Sequence, residues 1–205
     1  MLIEITGTPG TGKSSVAKEL AKKLRCGLID IKKIVNERNI FKKAKKEKEV
    51  DIKKLEKIIN DEIRKATSFH NPSSTLYLQP STSSSTFYPQ PSTIIIEGHL
   101  ACEIKIPVQY IFVLRCRPDV LEMRLKKRRY SKKKIEQNLL AEMLDYCVQR
   151  AMINKKRFTT IIEIETHNRN LDEIVGLIVN AMKKRKRMID KVDYRNYLIE
   201  YTKRK

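Results

Sequence analysis

The chain has 205 residues, 40% hydrophobic and 33% charged, enough to bury one core without metal or disulfide staples. No apolar stretch approaches the ~18 residues that span a bilayer. Four widely spaced cysteines (Cys26, Cys102, Cys116, Cys147) with no Cys-x-x-Cys pair argue against a zinc site or a disulfide framework. Met1-Leu2-Ile3-Glu4-Ile5 lacks the architecture of a signal peptide, so a soluble cytoplasmic protein without a membrane partner is expected. The formal charge of +20 draws polyanions by counterion release, or reflects the lysine-rich composition of proteins working at high temperature.

Leu2–Thr6 reads as a short buried strand, followed by a glycine-rich turn and a helix with Val16, Leu20 and Leu24 on one face. Gly27 ends that helix, and Leu28-Ile29 forms a second strand running to Asp30. The lysine-rich stretch to Val50 reads as an exposed helix. Asp51 caps a further helix with Ile52, Leu55, Ile58, Ile59 and Ile63 as its inner stripe. From Ala66 to Ile96 there is no Asp, Glu, Lys or Arg, and four of the seven prolines fall there, so residues 67–93 are expected to be a Ser/Thr/Pro-rich insertion. The apolar run 93–97 suits a central parallel strand, and 108–114 suits another. A helix from Pro118 to about Lys127, a long helix over 132–155, a strand over 159–164 and a closing helix over 171–182 complete the pattern. Strands alternating with helices predict an α/β fold: a central parallel sheet in a three-layer sandwich.

Gly7-Thr-Pro-Gly-Thr-Gly-Lys-Ser14 is a phosphate-binding loop in the required context, strand before and helix after. The chain has only six glycines, and three of them (Gly7, Gly10, Gly12) fall within these residues. Such a loop turns successive N–H groups toward phosphate oxygens, and the helix dipole adds to the attraction. Lys13 is expected to bridge the β- and γ-phosphates of ATP, Ser14 to ligate Mg²⁺, and Ser15 to meet the α-phosphate. Glu97 ends the Ile-Ile-Ile run where a P-loop enzyme holds a second acidic group, so it is expected to face the Mg²⁺ through water. His99, two residues on, either positions an attacking water or acceptor hydroxyl, or caps the next turn. Arg115 closes a strand at the sheet edge where ligands bind in open α/β folds, and is a candidate phosphate contact.

With Glu97-Gly-His99-Leu, Val113-Leu-Arg115, Arg124-Leu-x-x-Arg128-x-Tyr130, Lys134-Ile-x-x-Asn138 and Ala141-Glu142, the loop resembles the adenylate kinase isoenzyme 6 family, particularly its archaeal members. The resemblance covers residues 1–66 and 94–182. It implies a P-loop NTPase fold of nucleoside-monophosphate-kinase type with a short lid, transfer of the γ-phosphoryl of ATP to AMP, and an accompanying ATPase activity. It also implies a role in maturation of the small ribosomal subunit, bound to a ribosomal protein and rRNA. By position, ATP falls to Gly10, Gly12, Lys13, Ser14, Ser15 and Arg128, and catalysis to Lys13, Glu97, His99 and Arg128. The monophosphate falls to the 30–50 segment, with Asp30 and Arg115, and the lid to 127–137. The chain departs from the family in reading Arg128-Arg129-Tyr130 where relatives have Arg-Gly-Tyr, and in a lysine-rich segment after Asp30.

A kinase domain over 1–182 would leave a basic tail, 183–205, with ten Lys/Arg against three acids. There Tyr194, Tyr197 and Tyr201 share one helical face, an arrangement suited to RNA phosphates and bases. Two activities remain in view: an ATP:AMP phosphotransferase, and an ATPase assembly factor in which AMP phosphorylation is incidental. A regulatory GTPase is disfavoured because no Asn-Lys-x-Asp segment is present.

Overall fold

The β-branched runs and helical stripes settle into eight helices and seven strands in the computed structural model, which describes residues 1–42, 49–68 and 93–203. The first half runs β1 (Leu2–Thr6), α1 (Lys13–Leu24), β2 (Gly27–Asp30), α2 (Ile31–Glu37), the short pair β3 (Phe41–Lys42) and β4 (Glu49–Val50), then α3 (Ile52–Ser68). The second half runs β5 (Ile94–Glu97), β6 (Tyr110–Arg115), α4 (Pro118–Lys127), α5 (Lys132–Met143), α6 (Tyr146–Asn154), β7 (Thr160–Glu165), α7 (Leu171–Lys183) and α8 (Arg195–Lys203).

Five parallel strands form the sheet in the order β2-β5-β1-β6-β7. The isoleucine run of β5 is interior and covered on both faces, the environment in which a continuous apolar strand is stable. Alternation divides its neighbours between two layers. Ile3, Ile5, Phe112 and Leu114 pack against α1 and α7, while Leu2, Ile94, Ile111 and Val113 pack against α2, α3 and α6. A third cluster joins α4, α5 and the segment around Tyr194 through Leu121, Leu125, Ile135 and Leu139. The expected three-layer α/β sandwich of the P-loop NTPase type is therefore the fold observed.

Two expectations are corrected. The single helix over 132–155 is broken at Asp145, which adopts a left-handed conformation (φ 54°) and accepts a 2.5 Å bond from Arg115 Nη2. Helical periodicity runs through the break, but the ion pair overrides it, and Asp tolerates the left-handed region better than most residues. The lysine-rich helix expected to reach Val50 stops at Glu37. Asn39 turns left-handed (φ 52°), Ile40 enters the core, and Phe41–Lys42 pairs antiparallel with Glu49–Val50. Residues 43–48, and most of the expected insertion (69–92), lie outside the described residues, while Thr67 and Ser68 belong to α3. All four cysteines are free thiols. Among the described residues, no helix is long and apolar enough to cross a membrane.

Candidate active site

The phosphate loop leaves β1 against the end of β6. At Gly7 (φ 137°) a Cβ would lie 2.3 Å from the Leu114 carbonyl oxygen, so only glycine permits that approach. Gly12 (φ 98°) begins α1 without a side-chain cap, leaving the first-turn N–H groups for a ligand. Thr11 Oγ1 and Lys13 Nζ both donate to the Thr8 carbonyl, each at 2.9 Å, which draws the loop into a ring. Lys13 is buried, and its pKa is pulled down by that burial while the carboxylates of Glu97 and Glu142 oppose the shift.

Ser14 and Glu97 meet directly: the hydroxyl donates to Glu97 Oε1 at 2.8 Å across 83 residues of sequence. Burial raises the Glu97 pKa, and Asp30 adds to the shift from the adjacent strand, where it stands opposite Glu97 in the β2–β5 register. Asp30 also caps α2 by accepting from Lys33 N–H at 3.0 Å. A hydroxyl and a carboxylate are hard oxygen donors of the kind Mg²⁺ prefers. Among the described residues there is no cluster of three or more His, Cys, Asp or Glu arranged as a cage. The pair therefore fits a Mg²⁺ that arrives with a nucleotide's phosphate oxygens.

His99 follows the end of β5, two residues after Glu97, and is exposed to solvent. Partial desolvation by the surrounding chain, then the cations Lys13, Lys134 and Lys32, lower its pKa to about 4, so the imidazole is neutral at pH 7. Lys32 comes from α2 and Lys134 from α5, so the histidine lies between the expected monophosphate segment and the expected lid.

Arg115 does not reach the cleft. It is 1% exposed and bonds Glu142 Oε1 (2.9 Å), Asp145 Oδ1 (2.5 Å) and Glu163. Burial opposes its charge, but these carboxylates outweigh it and hold the pKa above the usual arginine value. With every edge of its guanidinium engaged, Arg115 has nothing left for a monophosphate, and the expectation is withdrawn. Its role is structural: Glu142 also accepts from Cys116 N–H (3.0 Å) and from the Thr8 hydroxyl, tying the phosphate loop to β6 and α5.

A groove of about 220 Å³ runs from the loop (Gly10, Thr11, Gly12, Ser15) past Arg124, Arg128 and Thr166 to Arg169 and Leu171. Arg124 braces it, donating to Gly10 O at 3.4 Å and to Thr166 O and Oγ1 at 3.3 Å. Arg128 is exposed at the C-terminal end of α4. Thr166 and Arg169 were not among the expected site residues. They belong to no motif, and only their place just past the C-terminal end of the last strand could have drawn attention to them.

The tail tyrosines are committed elsewhere. Tyr194 is 4% exposed, donates to Glu165 Oε1 (2.9 Å) and lies under the Arg115 guanidinium, 5.2 Å from its ring centre. Tyr197 and Tyr201 pack half-buried on the third cluster. The face expected to stack on bases therefore packs on the domain, fully at Tyr194 and in part at Tyr197 and Tyr201.

The AAA domain family model matches residues 3–145. The chain is 32% identical over 204 residues to the "Putative adenylate kinase" of Methanocaldococcus jannaschii, spanning 98% of this chain and 97% of that one. A protein of the same description from Pyrococcus abyssi is 29% identical over 205 residues with the same coverage. Among solved structures, a shikimate kinase from Acinetobacter baumannii in complex with shikimate superposes with a TM-score of 0.56 at 15% identity, covering 90% of this chain and 94% of that one, a likeness of fold.

Proposed function

This chain belongs to the adenylate kinase isoenzyme 6 family in its archaeal form, and on that premise we propose that it transfers the γ-phosphoryl group of ATP to AMP with an accompanying ATPase activity. The observation that carries the reading is the meeting of Lys13, Ser14 and Glu97 on a phosphate loop whose Gly10, Thr11, Gly12 and Ser15 also line a groove of about 220 Å³. The loop amides and Lys13 take the terminal phosphates, Ser15 takes the α-phosphate, and the Arg169 and Leu171 end takes the nucleoside. Mg²⁺, held by Ser14 and through water by Glu97, would neutralise phosphate charge when bound. Phosphoryl transfer asks the protein mainly for positioning and preorganised positive charge. Lys13 supplies fixed charge, and Arg128 supplies charge that the 127–137 lid brings in and removes. His99, neutral at working pH, orients the acceptor oxygen or a water by hydrogen bonding. AMP enters from the 30–50 side, where Asp30 closes β2 and Lys32 and Lys134 flank His99.

The second reading, an ATPase acting in small-subunit maturation with a ribosomal protein and rRNA, rests on one observation of its own. Lys22, Lys23 and Arg25 end α1, and Lys183 ends α7 with Lys184 to Arg187 following it. All eight cations are exposed, and among the described residues none has an ion-pair partner. Both helices follow parallel strands and pack on one sheet face, so they end at the same edge, opposite the nucleotide groove. Such a patch suits a phosphate backbone without sequence preference. Free thiols and the absence of a long apolar helix among the described residues are compatible with the cytoplasm.

A coupled assay of ADP production separates the two. With ATP alone the rate should be low, and AMP should raise it while two ADP appear per AMP consumed. A rate indifferent to AMP but raised by RNA or ribosomal subunits would leave only the ATPase.

A further inference from the structure

The segment after α7 folds back as a clasp around residues 163–169. Asp190 N–H donates to Glu163 O at 3.4 Å, and Glu165 N–H donates to Asp190 Oδ2 at 2.8 Å. Asp190 then receives both ends of Arg169, Nη2 on Oδ1 at 2.9 Å and Nη1 on Oδ2, while Nη1 also reaches Glu165 O at 3.1 Å. Four residues later Tyr194 bonds Glu165 from its hydroxyl. Asp190 is 17% exposed and Arg169 30%. A surface arginine ordinarily samples many rotamers. This one is gripped in a bidentate fork, which fixes the plane of its guanidinium as well as its position.

Arg169 is also the residue that the clasp shares with the groove, and it belongs to the segment after β7 rather than to the phosphate loop. Phosphates held on the loop amides leave the wall that Arg169 lines for the nucleoside. A guanidinium of fixed plane is a surface on which an aromatic base can stack, and holding it in place before binding removes the entropy of ordering it afterwards. Charge alone would not need Asp190, because the carboxylate neutralises it. What the pair supplies is geometry.

We propose that Asp190 is a positioning residue for ATP: from the C-terminal clasp it orients Arg169 as a wall for the nucleoside end of the groove. The inference rests on the reading of that groove as the ATP site. It assigns part of the segment after α7 to the nucleotide site rather than to RNA.

The test is the ratio of two dissociation constants measured on the full-length chain with Mg²⁺, one for ATP and one for inorganic triphosphate. Partial unfolding scales both constants alike and leaves their ratio unchanged. Asp190→Asn should weaken ATP by about tenfold and triphosphate by less than about twofold, on the scale of a lost charge-assisted bidentate contact. Arg169→Lys should give the same change of ratio, and the double variant should go no further because Asp190 acts through Arg169. Asp190→Glu, which keeps the ion pair, should return the ratio to within about threefold of the parent. An unchanged ratio in Asp190→Asn, or equal weakening of both ligands, overturns the proposal. A parent protein that binds neither ligand instead removes the ATP reading on which it stands.

Discussion

The two edges of the sheet handle their cations in opposite ways. At the C-terminal edge four are tied down: Lys13 to Thr8 O, Arg124 to Gly10 and Thr166, Arg169 to Asp190, Arg115 to three carboxylates. At the far edge the eight cations ending α1 and α7 project into solvent, stabilised by little beyond the helix C-terminal dipole. Charge held in place can stabilise a particular migrating phosphoryl group, because no reorganisation is needed when the reaction occurs. Charge left loose attracts any polyanion and distinguishes little among them. The net charge of +20 is thus a sum of two unlike quantities.

The sharpest way to break this contrast is at Lys13. Lys13→Ala should lower ADP formation by about 10³-fold or more, while the melting temperature holds or rises, because burying an ammonium opposes folding. Near-parental turnover would mean that the fixed charge is not catalytic.

Between the two edges lies Glu4, 1% exposed on β1, with one carboxyl oxygen lacking a partner among the described residues and burial raising its pKa to about 8. A carboxyl whose folded pKa lies above its unfolded value of 4.5 stabilises fully below pH 4.5, and that stability is lost as pH rises toward 8. Glu4→Gln should therefore gain on the parent by about 1 kcal/mol per pH unit across that window, read from denaturant midpoints at pH 5 and pH 8. Parallel curves would show that the carboxyl ionises freely in the fold.

The smallest effect is expected at the loose edge. Reversing three charges there (Lys183→Glu, Arg185→Glu, Arg187→Glu) should flatten the dependence of log K on log salt by about 2 for a single-stranded RNA oligonucleotide. ADP formation should stay within about twofold of the parent. An unchanged salt slope would take RNA away from this patch, and a large fall in turnover would show that the two edges are coupled.

Much of this was legible along the chain. The strand–loop–helix of the phosphate site, the interior strand ending at Glu97 and the parallel architecture all follow from residues close in sequence, because a glycine's backbone freedom, a helix start and strand alternation are local properties. The Ser14–Glu97 pair was legible too, since the fold type alone brings those two strand ends together. The tertiary structure decided what depends on partners far away. Arg115 changed from a ligand contact to the centre of a buried ion cluster because Glu142, Asp145 and Glu163 reach it from α5, the turn after it and β7. The same cluster broke a helix whose periodicity was continuous, and the ring of Tyr194 was claimed by Arg115 before any base could use it. Arg169 and Asp190, 21 residues apart and in no motif, became a pair only when the chain doubled back. Periodicity and spacing encode what a segment prefers by itself. Which charge meets which is fixed by the packing of all the segments together, through interactions strong enough in a low-dielectric interior to override those preferences.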